Sequence, residues 1–305
     1  MNIVVTGGLG FIGRGLVEKL VERGEEVIIL DRSAGRRPVP SGAECIAEDL
    51  RQEGRWQEAV RRADVVVNLV GAGIFRRWTP EVRRAIRESR VETTRNVVRA
   101  IEAGDGGLKA LISASAIGIY GFRGDEIVDE TACPGDDFLA RVAVDWEREA
   151  LAASSSGARV ARCRFGIVLG AAGGAMDILL PMFRCMMGSP LGSGRQWFPW
   201  IHLEDLTRIL LYCIYNPGAR GAINCVAPRP VTNRELTFTL ASVVRRPVLI
   251  PFIPSWAIEF LLGDFGAVLT HGQRAVPQRL QEEGFHFSHP ELREALADVV
   301  RSRRE

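Results

Sequence analysis

The chain opens with an apolar strand that runs directly into a glycine-rich loop. Residues 3–5 are Ile-Val-Val, and residues 6–13 read Thr-Gly-Gly-Leu-Gly-Phe-Ile-Gly. Glycines at this spacing permit a sharp turn, close approach of the backbone to a phosphate, and tight packing of the next helix. That helix would offer unpaired N–H groups and the positive end of its dipole. The loop therefore predicts a binding site for a dinucleotide pyrophosphate, formed around Gly7, Gly10 and Gly13.

The flanking sequence supplies the strand and helix that such a loop requires. Apolar residues at helical spacing follow Gly13 as far as Val21, and Gly24 provides a helix stop. A second apolar strand at residues 27–30 ends in Asp31. This position is close to the ~20 residues after the last glycine at which a ribose-binding acid is expected. The alternative interpretation of Asp31 is a solvated turn residue.

Composition narrows the class of protein. The 305 residues can form one large domain or two closely associated ones. A formal net charge of +2 with 47% hydrophobic residues is typical of a globular protein, not of a polycation that binds nucleic acid. The six cysteines have neither C-x-x-C nor Cys/His ligand spacing, so we expect no metal site and no disulfide framework.

Membrane insertion and export are not expected. The most apolar stretch, residues 247–263, is interrupted by Pro251, Pro254 and Glu259. The first residues already form a core strand, which leaves no room for a signal peptide. We therefore expect a cytoplasmic protein with a small-molecule ligand and without nucleic-acid or membrane partners. The oligomeric state stays open.

Strands and helices alternate along the first half of the chain. After Asp31 we predict strands at residues 43–47, 64–69, 111–115 and 159–164, and helices that start at Thr79-Pro80-Glu81 and near residue 142. Asp136 and Asp137 could cap the second of these helices. Parallel strands joined by right-handed helical crossovers form a doubly wound Rossmann sheet with the ligand at the strand carboxyl ends. The predicted fold is therefore α/β, with a smaller C-terminal substrate domain.

The second half of the chain departs from this alternation. Pro, Gly and Trp become frequent in residues 166–200, and a mixed segment starts at residue 226. We predict a dinucleotide-binding domain of residues 1–165, to which residues 201–225 return. Residues 166–200 and 226–305 would then form a substrate or lid domain.

Several motifs together make the chain resemble the extended short-chain dehydrogenase/reductases, which are NAD-dependent epimerases and dehydratases. They are the glycine-rich loop, Asp49-Leu50, Ser113-Ala114-Ser115 and Tyr120-Gly121. A second set of motifs resembles epimerase-family proteins that carry a short C-terminal domain of unknown function. These motifs are Arg77-Trp78-Thr79, Ser89-Arg90, residues 135–139, residues 192–197, Trp200-Ile201-His202 and Gly272-Gln273-Arg274. The resemblance covers essentially the whole chain. It implies an NAD(P) cofactor and a nucleotide-sugar-like or other polar carbonyl substrate.

The resemblance implies a cofactor site along the strand carboxyl ends. Its residues would be Gly7, Gly10, Phe11, Ile12, Gly13, Asp31, Arg32, Ser33, Asp49, Leu50, Leu69, Gly71, Ser113 and Gly166. Asp31 favours NAD, because its carboxylate suits the ribose hydroxyls and repels a 2′-phosphate. Arg32 favours NADP, because related proteins use an arginine there to hold that phosphate. We expect both cofactors to bind, with discrimination of about tenfold or less, roughly 1.4 kcal/mol.

The catalytic pair of the wider family is absent. Short-chain dehydrogenases use Tyr-x-x-x-Lys, in which the ammonium lowers the tyrosine pKa so that the phenol can act as acid or base near neutral pH. Aligned on Glu147, this pair falls at Leu139 and Ala143, and neither side chain can move a proton. Ser115 is the remaining candidate to polarise a carbonyl, or else a small residue that lets the cofactor approach. Tyr120 is the second catalytic candidate, although packing against the cofactor site is the favoured alternative.

The substrate side would be formed by Arg195, Trp197 and His202, which lie in the segment that resembles the family's substrate-contact loop. Arginine suits a phosphate or carboxylate, and tryptophan suits a flat base or sugar face. The alternatives are a surface arginine, a core tryptophan, and a histidine that caps the following helix.

Two functions fit these features. The first is an NAD(P)-dependent oxidoreductase or epimerase whose slow hydride transfer depends on Ser115 more than on Tyr120. The second is a non-catalytic NAD(P)-binding sensor. The missing Tyr/Lys pair favours the sensor, whereas a lid with Arg, Trp and His favours the enzyme. We prefer the enzyme.

Overall fold

A computed structural model describes residues 1–303 of the chain. Its strands are β1 (Asn2–Thr6), β2 (Glu26–Leu30), β3 (Ala43–Ile46), β4 (Val65–Asn68), β5 (Ala110–Ala116), β6 (Ile127–Val128), β7 (Arg159–Phe165), β8 (Ile167–Gly170), β9 (Gly173–Gly174), β10 (Trp197–Phe198), β11 (Trp200–His202), β12 (Gly221–Cys225), β13 (Val231–Thr232) and β14 (Arg274–Ala275). Its α-helices are α1 (Phe11–Glu22), α2 (Trp56–Arg61), α3 (Pro80–Glu102), α4 (Phe138–Ala152), α5 (Met176–Arg184), α6 (Leu203–Tyr215), α7 (Asn233–Val244), α8 (Ser255–Leu262), α9 (Phe265–Thr270), α10 (Gln278–Glu282) and α11 (Leu292–Ser302). Short 3-10 helices span Ile117–Tyr120 and Ala153–Ser156.

The core is a seven-stranded sheet in the order β12-β7-β5-β4-β1-β2-β3, and every neighbouring pair is parallel. The central strands are buried on both faces, which explains their continuous apolar sequences. The strand order reverses beside β1, so the carboxyl ends of β1 and β4 open a crevice in which a ligand is expected. The predicted doubly wound parallel fold is thus confirmed.

Capping residues set where the two crossover helices begin. The Thr79 side chain accepts from the Val82 N–H, and Pro80 occupies the first turn of α3. The Asp137 carboxylate accepts from the N–H groups of Leu139 and Ala140, so α4 begins at Phe138, earlier than predicted. Of the two aspartates that could cap this helix, Asp137 is the cap.

The second half adds small sheets and helices to this core. Strand β8 pairs with β9 and β11, β10 pairs with β13, and β14 pairs with β6. Strand β12 completes the edge of the main sheet, and α6 packs on α1. The division of the chain into two domains stays an interpretation. None of the helices within residues 1–303 combines the length and apolarity needed to cross a bilayer.

Candidate functional site

The glycine-rich loop forms a cradle between β1 and α1. Gly7 has φ +69°, and its N–H donates to the Leu30 carbonyl at 2.8 Å. A Cβ added to Gly10 would lie 3.0 Å from the Gly7 oxygen, and one added to Gly13 would lie 2.4 Å from it. No side chain caps the N-terminus of α1, so its first-turn N–H groups remain available to an anion. The surface of this cradle consists of backbone atoms, and a side chain at Gly10 or Gly13 would crowd it. The cradle therefore fits a pyrophosphate.

The Asp31 carboxylate is already engaged by neighbouring protein groups. Its Oδ1 accepts from the Ser33 N–H at 2.9 Å and from the Ser33 hydroxyl at 2.5 Å. Its Oδ2 accepts from the Leu9 N–H at 3.2 Å, so the carboxylate braces the glycine-rich loop. Arg37 Nη1 donates to the Leu9 carbonyl at 2.8 Å, and Arg32 is exposed. The Arg37 guanidinium therefore contacts the same loop residue as the Asp31 carboxylate, which already accepts three hydrogen bonds.

Other predicted cofactor residues lie along the same edge of the sheet. The Phe11 ring packs against the β8–β9 turn, where Cβ atoms added to Gly170, Gly173 or Gly174 would lie 2.8 Å from it. Ile12 is half-buried beside Phe11. The Asp49 carboxylate pairs with Arg51, whose hydrogen bond lowers the pKa of Asp49.

The remaining predicted cofactor residues are held by backbone contacts. The Leu50 carbonyl accepts from Asn96, and the Leu69 N–H donates to Thr6. Ser113 is buried, and its hydroxyl donates to the Ala114 carbonyl at 3.3 Å. A Cβ on Gly166 would lie 2.8 Å from the Pro199 oxygen. Gly71 follows β4 and is exposed. Cofactor contact by these residues stays a prediction.

A buried carboxylate organises the region around Ser115. Glu147 of α4 is 4% exposed. It accepts from the Ser115 hydroxyl at 2.7 Å, from Arg164 Nε at 2.8 Å and from Arg162 Nη1 at 2.7 Å. These bonds join α4 to β5 and β7. Sequence reasoning used Glu147 as an alignment anchor and missed this role. An acid on the apolar face of α4, between Ala143 and Ala150, was the signal available.

Tyr120 belongs to the same network. Its hydroxyl donates to Asn224 Oδ1 at 2.7 Å and accepts from Arg164 Nη1 at 2.8 Å. Burial raises the pKa of Tyr120 to about 12, so the phenol stays protonated at neutral pH. Ser115 and Tyr120 are thus linked indirectly, because Ser115 bonds to Glu147 and Glu147 bonds to Arg164, which donates to Tyr120. Their participation in catalysis stays a prediction.

The helix that would carry the Tyr/Lys pair has apolar side chains at both positions. Leu139 packs against Gly118, where an added Cβ would lie 3.5 Å from the Leu139 Cβ. Ala143 is buried with Ile117 and Ile119. Neither position offers a proton donor beside the end of β5.

The predicted substrate residues have different surroundings. Trp197 Nε1 donates to Asp125 Oδ1 at 2.8 Å, and the Arg274 guanidinium stacks 4.5 Å from the Trp197 ring centre. Arg195 is exposed. Trp197 and Arg274 therefore pair an aromatic face with a cation. The sequence places Arg274 in a family motif but predicts no role for it.

His202 caps α6. Its Nδ1 accepts from the Glu204 N–H at 3.2 Å. This is the helix cap that the sequence analysis gave as the alternative to substrate contact. The ring stacks on His289 with centroids 3.9 Å apart, and Nε2 lies 3.4 Å from Asp298 Oδ2. Burial, with a smaller contribution from His289, lowers the pKa of His202. Substrate contact by Arg195, Trp197 and His202 stays a prediction.

Comparisons with known proteins are consistent with a dinucleotide site at the glycine-rich loop. Residues 3–225 match the NAD dependent epimerase/dehydratase family, and residues 253–299 match a domain of unknown function, DUF1731. The epimerase family protein SDR39U1 homolog of Arabidopsis thaliana, a chloroplastic protein, is 38% identical over 98% of this chain and 87% of its own length.

Two solved structures extend the comparison. The human epimerase family protein SDR39U1 with NADPH superposes with a TM-score of 0.86 at 33% identity, covering 99% of each chain. MoeE5 in complex with UDP-glucuronic acid and NAD gives a TM-score of 0.80 at 25% identity, again over 99% of each chain. The predicted resemblance, including the C-terminal domain of unknown function, is confirmed.

Proposed function

Because this chain belongs to the NAD-dependent epimerase/dehydratase family and is an NAD(P)-binding member of it, we propose that it is an NADP(H)-dependent oxidoreductase or epimerase. Its substrate would be a nucleotide-sugar-like or other polar compound with a carbonyl or secondary alcohol. The observation that carries the cofactor proposal is the glycine-rich loop braced by Asp31.

The preference for NADP(H) is supported by the hydrogen bonds that Asp31 accepts and by the arginines near it in the chain. Three protein donors already occupy the Asp31 carboxylate, which weakens both its affinity for ribose hydroxyls and its repulsion of a phosphate. Arg32 follows Asp31 in the chain, and Arg37 hydrogen-bonds to the Leu9 carbonyl of the loop that Asp31 braces. Both guanidinium groups suit a doubly charged phosphate. The human relative with NADPH supports the same preference.

The cofactor would supply the redox chemistry, and the residues of the chain would bind and position it. When bound, a nicotinamide cofactor supplies or accepts a hydride. Within this proposal the glycine-rich loop and α1 hold the pyrophosphate, and Arg32 and Arg37 hold the 2′-phosphate. The Glu147 network fixes the end of β5 against α4 and β7, with Ser115 closest to the reacting groups. Without a Tyr/Lys pair, we expect hydride transfer to be slow compared with relatives that have one.

The substrate class is supported by a solved relative and by an aromatic–cation pair on the surface of this chain. MoeE5, which was solved with UDP-glucuronic acid, shares the fold along the full chain. The stacked Trp197 and Arg274 pair could receive a flat base or sugar with a neighbouring phosphate. A panel of nucleotide sugars tests this substrate class, with NADPH absorbance to detect net oxidation or reduction and NMR of the sugar to detect epimerisation, which leaves the cofactor unchanged overall.

The cofactor proposal is tested by calorimetric titration of NADP⁺ and NAD⁺. We expect wild type to prefer NADP⁺ by about tenfold or less, roughly 1.4 kcal/mol. Asp31→Asn should move the preference toward NADP⁺, and Arg32→Ala should move it toward NAD⁺. Arg99→Ala, which changes an exposed arginine of α3, is the matched control. A thousandfold wild-type preference either way would contradict the balance proposed for Asp31 and Arg32. Cofactor binding without turnover of any panel member would favour the sensor.

A further inference from the structure

One helix near the C-terminus exposes large apolar side chains. Trp256, Phe260 and Leu261 of α8 are 72%, 79% and 68% exposed. The other side of the same helix is anchored in the protein, since Ile258 is buried. A helix that is apolar on both sides is expected to be covered on both sides. Within residues 1–303, the outer side of α8 lacks such a cover.

The exposed apolar side chains continue beyond α8. The segment that leads into this helix lies beside the turn that follows α5, because the Ser189 hydroxyl donates to the Ile250 carbonyl at 3.1 Å and a parallel β-bridge joins the two segments further on. We define the apolar surface by six side chains of these segments and of α8 that are each more than half exposed: Met187, Leu249, Phe252, Trp256, Phe260 and Leu261. Exposed apolar side chains grouped in this way mark an interaction site.

Three arginines flank the apolar surface, and all of them are exposed: Arg184, Arg245 and Arg246. In the part of the chain that the structure describes, none of the three pairs with a carboxylate, whereas Arg229 pairs with Glu291. Residues 182–191 and 245–262 together contain these three arginines and one acid, Glu259. The surroundings of the apolar surface therefore carry a net positive charge.

This charge favours an anionic lipid surface as the occupant over a second copy of the chain. A two-fold contact through the apolar surface would bring two identical sets of unpaired arginines together, and like charges oppose that contact. A bilayer interface receives tryptophan and phenylalanine rings at the level of the headgroups, and lipid phosphates attract arginine. A short helix that lies in the interface makes such a contact without crossing the bilayer.

We propose that the apolar surface is a peripheral membrane-binding site. Trp256 and Phe260 insert between the headgroups of anionic phospholipids, and Arg245 and Arg246 bind the lipid phosphates. From the sequence we expected no membrane partner, because no stretch of the chain suits a membrane span; the exposure of α8 changes that expectation. The proposal does not depend on the proposed function, since it uses none of the residues assigned to the cofactor or the substrate.

Vesicle co-sedimentation of the full chain tests the proposal. The vesicles contain either phosphatidylcholine alone or an equal mixture of phosphatidylcholine and phosphatidylglycerol. One double variant combines Trp256→Gln with Phe260→Gln and removes two apolar contacts. A second double variant combines Arg245→Gln with Arg246→Gln and removes two charges.

Matched controls change the same kinds of residue away from the apolar surface. Leu151→Gln alters an exposed leucine of α4, and Arg99→Gln alters an exposed arginine of α3. Insertion itself is measured by the quenching of tryptophan emission with brominated phosphatidylglycerol. Trp256→Phe is the variant for this measurement, because it keeps an aromatic ring and removes the indole.

We expect wild type and both controls to bind the mixed vesicles more tightly than the neutral ones. The Trp256→Gln, Phe260→Gln variant should lose at least about tenfold in partitioning to the mixed vesicles. The arginine variant should lose the preference for them, because that preference is electrostatic. Failure of wild type to bind the mixed vesicles would overturn the proposal, as would equal binding by wild type and the Trp256→Gln, Phe260→Gln variant.

Quenching of wild type that Trp256→Phe abolishes would place this ring in the bilayer, whereas equal quenching of both proteins would overturn the proposal. The same measurement decides if the double variant at Trp256 and Phe260 does not fold. Sedimentation velocity tests the other occupant. A wild-type dimer that Trp256→Gln with Phe260→Gln abolishes, without vesicle binding by wild type, would overturn the proposal and assign the apolar surface to a second copy of the chain.

Discussion

The polar residues at the end of β5 show how a buried charge is stabilised. Glu147 accepts four hydrogen bonds from the side chains of Ser115, Arg162 and Arg164. Arg164 in turn donates to the Tyr120 hydroxyl. Removing one member leaves a buried donor or acceptor of its partner unsatisfied, which costs more than the bond itself contributes. Ser115 and Tyr120 are therefore expected to affect stability whether or not they affect catalysis.

Tyr120→Phe tests the structural part. The change leaves Asn224 Oδ1 and Arg164 Nη1 without this partner, so we expect a loss of about 1–3 kcal/mol in the free energy of unfolding. Tyr215→Phe, at a surface phenol that donates to Glu25, should stay within about 0.5 kcal/mol. Urea unfolding measures both. Equal, small losses would show that the network contributes little.

Ser115→Ala tests the catalytic part. With any substrate found, we expect this variant to lower kcat more than Tyr120→Phe does, because the Tyr120 phenol is buried and bonded to two partners. Comparing kcat and KM separates a defect in chemistry from a defect in binding. Full turnover by Ser115→Ala would refute the role given to Ser115.

At the scale of elements, the N-terminus of α6 depends on one imidazole. The neutral His202 Nδ1 accepts the Glu204 N–H, and the ring is stacked on His289 and faces Asp298. Glu204 and Asp205 also lie in the first turn of this helix, where their charges favour its dipole. Protonation of Nδ1 would remove the acceptor and release the cap.

This dependence predicts a pH effect of defined sign. Since burial lowers the pKa of His202 in the folded state, the unfolded chain binds more protons below about pH 6.5. The stabilisation is complete above that pH and is lost as the pH falls toward the folded pKa.

The pH effect is measured by urea unfolding of matched histidine variants. His202→Asn keeps a capping side chain without titration, so its stability should fall less than that of wild type between about pH 7 and pH 5. His286→Asn, at an exposed histidine, is the control and should follow wild type. Parallel curves for all three proteins would contradict the role of His202.

At the scale of the molecule, the sheet could be predicted because its information is local. Apolar runs mark the buried parallel strands, and Thr79-Pro80 marks the start of α3. The side-chain contacts of the site could not be predicted, because they join residues far apart in the sequence. Tyr120 bonds to Asn224, 104 residues away, and Arg90 lies beside Gly71 only because α3 packs on the end of β4. The two-residue strands β6, β9, β10, β13 and β14 are too short to show any periodicity.

The glycine-rich loop is proposed to bind NADP(H). Calorimetric titration of NADPH into wild type, Gly10→Val and Gly107→Val tests whether this loop is the binding site. A Cβ on Gly10 would lie 3.0 Å from the Gly7 oxygen, whereas one on Gly107 meets no atom within 4 Å. We expect wild type and Gly107→Val to bind NADPH equally, and folded Gly10→Val to lose at least about tenfold in affinity, roughly 1.4 kcal/mol. Unchanged NADPH affinity in a folded Gly10→Val protein would contradict it.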